Sequence, residues 1–295
     1  MGPGRAPLTP RLAALLALCL PLAARAQAPP RVEVEAVPEL SAAAPGGAFR
    51  VAVRLRIPDG CHLAWVNPGE TGLPTTLAWR TPGGVTVGET EWPYPERDEA
   101  AGLVNHVYRG AVVVVTTFQV TPSFHAGAVT LRADLTWGLC GATCIRQTGG
   151  AELSLPVREG AADTTAAWRA LAPSLAALPI ADSRLAVQAA VRGDSVRLTI
   201  AGPPLARPGA ATVTFFPLAG GTAVVAPVRR AGRGLVVTLP RSAAQARTGA
   251  LAGVLVADRP WLTGSSRRAL RVEASVPPGV PGTPGRSLMP GALRP

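Results

Sequence analysis

Short runs in which apolar and polar residues alternate dominate the chain. In residues 49–57, Phe49, Val51, Val53, Leu55 and Ile57 alternate with Arg50, Ala52, Arg54 and Arg56. A side-chain period of two predicts a strand with one apolar and one basic face. Residues 31–37 repeat the pattern more weakly. Pro58-Asp59-Gly60 predicts a turn, and residues 61–65 a short strand. Residues 67–74 hold two glycines and two prolines, which set backbone geometry without a regular element and predict an ordered loop. Short strands are predicted at 77–79 and 85–92, with Pro93-Tyr94-Pro95 as an extended exit. Residues 112–120 begin apolar on both faces, as a central strand requires. Farther on, Val129, Leu131, Ala133, Leu135, Trp137 and Leu139 share one face of a strand, and Thr130, Arg132, Asp134, Thr136 and Gly138 the other. Continued alternation assigns Cys140 to the polar, accessible face. Gly141 and Ala142 permit a tight turn before Cys144, and residues 152–157 form the return strand.

The pattern changes at residues 161–178, where Trp168, Leu171, Leu175 and Leu178 recur at helical spacing and Pro173 interrupts them. One short helix or two pieces is predicted. Seven further strand candidates follow, at 185–191, 196–200, 212–216, 222–228, 235–239, 251–256 and 269–276. This half holds no cysteine or histidine. From Pro277 the chain is a Pro/Gly-rich run with too little apolar surface to fold. The expected fold class is all-β: a cysteine-bearing sandwich at 30–158, a helical connector at 161–180, a second β-sandwich at 183–276 and a disordered tail at 277–295.

Composition changes this picture in two ways. The net charge is +11, but every one of the 29 basic residues is arginine, and they are scattered apart from small clusters at Arg229, Arg230 and Arg233 and at Arg267, Arg268 and Arg271. A nucleic-acid surface would show a basic stripe with stacking aromatics, so no nucleic-acid partner is expected. The first 26 residues have the form of a secretory signal: Arg5 and Arg11, an apolar run over 12–24, and Ala24-Arg25-Ala26 as a cleavage site. That run is too short to span a bilayer, and no later segment is apolar for long enough. Cys19 lies inside the signal, preceded by Leu18, and is read as discarded rather than lipidated. Export would bring the mature chain to an oxidising compartment with three cysteines, Cys61, Cys140 and Cys144.

Cys140 and Cys144 are the centre of any chemistry. Three readings compete. The first is a redox pair, in which an accessible thiolate reacts and Arg146 supplies positive charge. The second is a structural staple, which for a five-residue loop gains roughly 2 kcal/mol from closure. The third is a metal site, with Cys61, His62, Cys140 and Cys144 as a Cys3His set for zinc or copper(I). His62 also has the simpler fate of packing beneath a loop. His106 and His125 are read as surface residues. Glu70 and Asp134 are single acids near the pair, and Glu70 is either a proton relay or solvated. Trp65, Trp79, Trp92 and Trp137 are read as core, with one or two shielding the pair. No Ser-His-Asp order, phosphate loop or paired carboxylates appear.

Several motifs, in order, carry a family resemblance. Cys61-His62 through Asn67-Pro68-Gly69-Glu70-Thr71-Gly72-Leu73-Pro74-Thr75 resembles a Trp-His…Asn-Pro-Gly-Asp-Ser-Gly-Leu-Pro-Thr motif. Trp92-Pro93-Tyr94-Pro95, Tyr108 with Gly110, and Trp137-Gly138-Leu139-Cys140 with Cys144-Ile145 follow in the same order. These belong to the periplasmic N-terminal regions of DsbD-like protein-disulfide reductases, in particular the suppressor-of-copper-sensitivity branch. Phe215-Phe216-Pro217 and Gly253-Val254-Leu255 resemble that family's second extracytoplasmic segment, so the likeness runs over 30–275.

The resemblance implies immunoglobulin-like sandwiches and a pair that carries electrons from a membrane donor to exported thiol-disulfide proteins. Cytochrome c biogenesis or copper tolerance is the setting, and Cys144 forms the mixed disulfide. Cys61 stands where the family has Trp, and Arg146 where it has Pro. The family's membrane and thioredoxin-like domains have no counterpart here, so an external electron donor is expected. The expected function is a periplasmic thiol-disulfide interchange protein without a cofactor, the component of a protein-disulfide reductase. The alternative is a periplasmic copper or zinc binding protein.

Overall fold

Alternation along the strands is realised in three antiparallel sheets. The computed structural model describes residues 30–202, 205, 212–232, 234–241 and 250–275, together with Gly2. Apart from Gly2, the signal segment 1–26, Cys19 within it, and the tail 277–295 lie outside these residues.

The first sandwich packs two sheets face to face. One has the order β1 (Glu33–Pro38), β2 (Ala48–Arg56), β8 (Ala111–Val120), β5 (Val85–Glu91). The other runs β10 (Cys144–Pro156), β9 (Ala128–Cys140), β3 (His62–Gly69), β7 (Leu103–Tyr108), β6 (Glu96–Ala100), and β4 (Thr76–Arg80) also pairs with β9. Val53 and Leu55 of β2 and Val112 and Val114 of β8 meet Leu63, Trp65, Leu135, Trp137 and Leu139 between the sheets. The basic face of β2 is spent on ion pairs, with Arg50 held by Glu39 and Arg54 by Glu35.

The double-sided apolar character of β8 has a direct cause. Val113 and Val115 point away from the sandwich core, onto the connector residues Trp168, Leu171 and Leu178. The connector is two short helices, α1 (Ala166–Ala170) and α2 (Ala172–Leu175). Thr165 caps α1 by accepting from the Trp168 N–H at 3.0 Å. Pro173 lies in the first turn of α2, where its missing N–H removes no helical bond.

One hairpin was not predicted. β6 and β7 form an edge hairpin turned by Ala101 and Gly102, both at positive φ (52° and 79°). That is the turn a two-residue hairpin needs, here without the Asn-Gly or Asp-Gly signal. β6 carries Glu96, Arg97, Asp98 and Glu99 and is mostly exposed, so no burial contrast marks it in the sequence.

The second sandwich is a single hydrogen-bonded path of seven strands: β11 (Ala186–Arg192), β12 (Ser195–Ala201), β15 (Gly234–Pro240), β14 (Val224–Ala231), β13 (Thr212–Pro217), β16 (Ala250–Ala257), β17 (Ala269–Ser275). It curls around Leu198, Ile200, Phe215, Val237, Leu239 and Leu255. Gly253 is required there: a Cβ would stand 2.3 Å from the Phe215 ring.

The two sandwiches share a core. Phe216, Ala223, Val254 and Ala269 of the second pack in one cluster with Trp65 and Tyr108 of the first. The connector is laced into the joint, with Arg267 donating to the carbonyls of Leu178 and Pro179 at 2.8 Å each, and Ile180 N–H to Ala269 O at 2.8 Å. A cavity of about 600 Å³ opens between the sandwiches and the connector, with Trp65, Trp92, Leu175, Val254 and Arg267 among its walls.

Candidate functional site

β9 and β10 run in unbroken register from Ala128 opposite Pro156 to Cys140 opposite Cys144. The two cysteines are therefore the last directly facing pair of the hairpin, and a disulfide joins them with Cα atoms 4.0 Å apart. Residues 141–143 close the turn, with Gly141 N–H donating to Thr143 O at 3.0 Å. Cys144 is exposed, whereas Cys140 is only 8% exposed.

The burial of Cys140 corrects the sequence expectation of an accessible face. Cys140 ends a strand that is flanked on both sides, by His62 of β3 and by Cys144 of β10, and the same face is also met by a distant segment at Gly138. Loop 70–75 folds back across the end of β9, and Leu73 Cβ lies 3.2 Å from where a Cβ on Gly138 would be. Gly138 and Cys140 share that face, two residues apart. A larger residue at 138 would push the loop off.

The loop is tied down residue by residue. Gly69, at φ 86°, passes so close to β7 that a Cβ would stand 2.4 Å from Val104 O. Glu70 N–H donates to that carbonyl at 3.1 Å, and the Glu70 carboxylate accepts from Val104 N–H at 2.5 Å. Thr71 donates to Asn105 Oδ1 through its N–H at 2.9 Å and its hydroxyl at 3.0 Å. The Thr75 hydroxyl returns the chain to Ala64 O at 2.6 Å. Glu70 is thus a loop fastener, its carboxylate bound to β7, and not the free acid that a relay role would want.

The hairpin carries two close approaches of its own. A Cβ on Gly149 would meet Trp137 Cη2 at 2.5 Å, and one on Gly150 would meet Ala133 O at 2.3 Å. The Trp137 ring lies across β10 and donates from Nε1 to Gln147 Oε1 at 3.3 Å. Trp137 is therefore core beneath the hairpin, as is Trp65, while Trp79 and Trp92 are half-buried.

The other predicted residues divide. His62 is directly across from Cys140 in the β3–β9 ladder. Burial pushes its pKa down and the charge of Arg109 adds to this, with Asp98 opposing, so the imidazole is neutral at neutral pH. Cys61 is a free, half-buried thiol whose Sγ is 3.3 Å from the Cβ position of Gly141, in the turn between the paired cysteines. Arg146 is exposed opposite Gly138, with no carboxylate partner among the described residues. Asp134 lies farther up β9, clamped between Arg80 at 2.6 Å and Arg132 at 2.8 Å, which hold its pKa low.

The alternative metal set of Cys61, His62, Cys140 and Cys144 is not assembled. Among the described residues no group of three His, Cys, Asp or Glu side chains stands close enough to hold an ion, and two of the three sulfurs are bonded to each other. Copper or zinc binding has no preformed centre here.

His106 was misread. Instead of lying on the surface it is wholly buried on β7. Its Nδ1 is 2.7 Å from Asn67 O, and its Nε2 accepts from Ala223 N–H of the second sandwich at 2.8 Å. The Trp65, His106 and Phe216 rings pack edge-on, with centroids 5.3–6.1 Å apart. Buried Asn67 donates from Nδ2 to Pro217 O at 2.8 Å and to Gly220 O and Gly221 O at 3.3 Å each. The unpredicted β6–β7 hairpin hid this cluster; recognising β7 would have put His106 beside the Asn67 motif. His125 is exposed, as expected.

Residues 31–155 match the family model described as thiol:disulfide interchange protein DsbD, N-terminal. Among solved structures, the N-terminal periplasmic domain of ScsB from Proteus mirabilis aligns over 84% of this chain and 94% of its own, at 20% identity and a TM-score of 0.51. At that identity the likeness shows the fold, and it extends across both sandwiches. The reduced N-terminal domain of Neisseria meningitidis DsbD aligns over 44% of this chain and 90% of its own at 20% identity, with a TM-score of 0.25. No curated protein matches the chain. Among the described residues no helix is long and apolar enough to cross a membrane.

Proposed function

We propose that this chain, whose residues 31–155 form a DsbD-like N-terminal domain of the thiol-disulfide interchange type, is a periplasmic electron relay working through Cys140 and Cys144. The observation that supports this reading best is the asymmetry of the pair: Cys144 is exposed at the open end of a hairpin, while its partner Cys140 is sheltered. A pair of this kind has one sulfur to meet a partner and another to resolve the product.

In the reduced protein the Cys144 thiolate attacks one sulfur of a partner disulfide. The partner's S–S bond breaks, a Cys144–partner disulfide forms, and one partner thiolate leaves. Cys140 then loses its proton and attacks Cys144 Sγ, forming the Cys140–Cys144 bond and releasing the second partner thiolate. Two electrons pass to the partner. The neutral His62, directly across from Cys140 in the ladder, is the proton acceptor in this reading. A dithiol donor of the DsbD membrane type restores the reduced pair, and exported thiol-disulfide proteins are the substrates.

The test combines a redox titration with trapping. Alkylation and mass spectrometry across glutathione-range buffers should show the bond opening reversibly. Cys140→Ser should accumulate a mixed disulfide through Cys144, whereas Cys144→Ser should not. A bond that such buffers leave closed would make the pair a staple.

A further inference from the structure

The joint between the sandwiches holds charges that the cysteine pair does not use. The cavity there, of about 600 Å³, has the size of a site for a small organic ligand, and such sites favour the boundary between domains. Its apolar surface includes the half-buried side chains of Trp92, of Leu175 on the connector and of Leu218 on the second sandwich. Its charged surface comes from two directions. Glu91 stands across from Val115 in the β5–β8 ladder, so it shares the face of the first sandwich that meets the connector. Arg50 lines the cavity from β2, beside Glu89 of β5, and Arg267 and Arg271 line it from the second sandwich.

Most of these charges are already matched. Arg50 is held by Glu39, and Arg271 by Glu89 and Glu273. Two are left without a direct ion pair among the described residues, Arg267 and Glu91. Arg267 donates from Nε to Leu178 O and from Nη2 to Pro179 O, which uses two of its five N–H groups and leaves Nη1 available. Burial pushes the Arg267 pKa down; the charge of Glu91 raises it without touching it, and that of Arg50 lowers it. The balance selects the ligand. A simple anion would come among four carboxylates and three arginines, and a simple cation would leave the Arg267 guanidinium unmatched. A molecule with both charges on an apolar body answers to both groups. We propose that the cavity binds a small apolar zwitterion, an amino acid or short peptide, with its carboxylate on Arg267 Nη1, its ammonium on Glu91 and its side group on Trp92, Leu175 and Leu218.

The test is calorimetric titration of the full chain with L-phenylalanine, with leucyl-phenylalanine, with phenylpropionate, which lacks the ammonium, and with phenethylamine, which lacks the carboxylate. At least one zwitterion should bind saturably, one per chain, and the tighter of the two tells a free amino acid from a peptide as the source. Each single-charge probe should bind at least about tenfold more weakly, as the loss of one charged hydrogen bond requires. Glu91→Gln should bring the zwitterion down to the affinity of phenylpropionate without weakening phenylpropionate itself, a split that a merely structural role would not produce. Arg267→Met should do the same relative to phenethylamine. Glu91 makes no hydrogen bond or ion pair among the described residues, so its glutamine variant carries the test alone if the Arg267 variant does not fold. Equal affinity for phenylalanine, leucyl-phenylalanine and phenylpropionate, or equal weakening of every probe in Glu91→Gln, overturns the assignment. So does the absence of saturable binding by either zwitterion up to its solubility. The cysteine pair takes no part in this readout, so its outcome is independent of the thiol-disulfide reading.

Discussion

Acid should loosen the joint between the sandwiches, and one histidine sets where this happens. His106 is wholly buried, with Nδ1 donating to Asn67 O and Nε2 accepting from Ala223 N–H. A second ring proton would set N–H against N–H. Burial pushes the His106 pKa below 6.5; the bond to Asn67 O holds part of that shift back, and the charge of Arg97 adds to it. Because the folded value lies below the unfolded one, the unfolded chain takes up the proton first. The contribution to stability is therefore complete above about pH 6.5. It declines as pH falls from there to the folded pKa, and is level below it. One proton limits the slope in that window to about 1.4 kcal/mol per pH unit.

His62 is shifted in the same direction, so wild-type stability alone does not isolate the effect. The comparison is urea unfolding of wild type and His106→Leu between pH 5 and 8. At pH 7.5 the variant should lose about 2–6 kcal/mol, because two buried backbone groups lose their partners at about 1–3 kcal/mol each. Below pH 6.5 the gap between the two proteins should narrow, by at most about 1.4 kcal/mol per pH unit. A gap that stays constant from pH 8 to pH 5 would refute the argument, since His106 would then be either unshifted or not bound as described.

Three further outcomes are expected. Gly149→Ala sets a methyl 2.5 Å from the Trp137 ring and should cost about 1–3 kcal/mol in thermal or urea unfolding; unchanged stability would mean that the ring does not lie across β10. Cys61→Ser should leave the Cys140–Cys144 bond and its redox equilibrium in place, read by peptide mapping of the oxidised protein, and rearranged pairing in wild type that vanishes in the variant would contradict this. His62→Gln should slow resolution of a trapped Cys144 mixed disulfide by up to about a hundredfold near neutral pH and remove the rate's fall on acidification below pH 6.5, where His62 takes up its proton; an unaltered pH profile would remove His62 from the mechanism.

The strands most legible in the sequence are those with one buried face. β2 and β9 alternate over most of their length because their partners are a core on one side and solvent or arginine pairs on the other. The connector was equally plain, since Trp168, Leu171 and Leu178 keep helical spacing against β8 and Pro173 marks the break. β6 and β7 were invisible for the opposite reason: an exposed, charged edge strand has no burial contrast, and Ala-Gly is a weak turn signal. Losing β7 displaced His106 to the surface. For Cys140, period two placed it on the face of Gly138, but the end of that strand lies beside His62 of β3, far earlier in the chain, and no local pattern encodes so distant a neighbour.

The core shared across the joint bears on how the protein can be divided. Trp65 has its ring neighbours in both halves, with His106 on one side and Phe216 on the other. A cut through the connector would not release two finished modules. It would leave Trp65 uncovered on one fragment and Phe216 on the other. Each piece would carry an apolar scar in the shape of the one it lost. The cysteine-bearing sandwich produced alone should therefore be stickier and less stable than within the full chain, and a soluble fragment would need polar replacements on that scar.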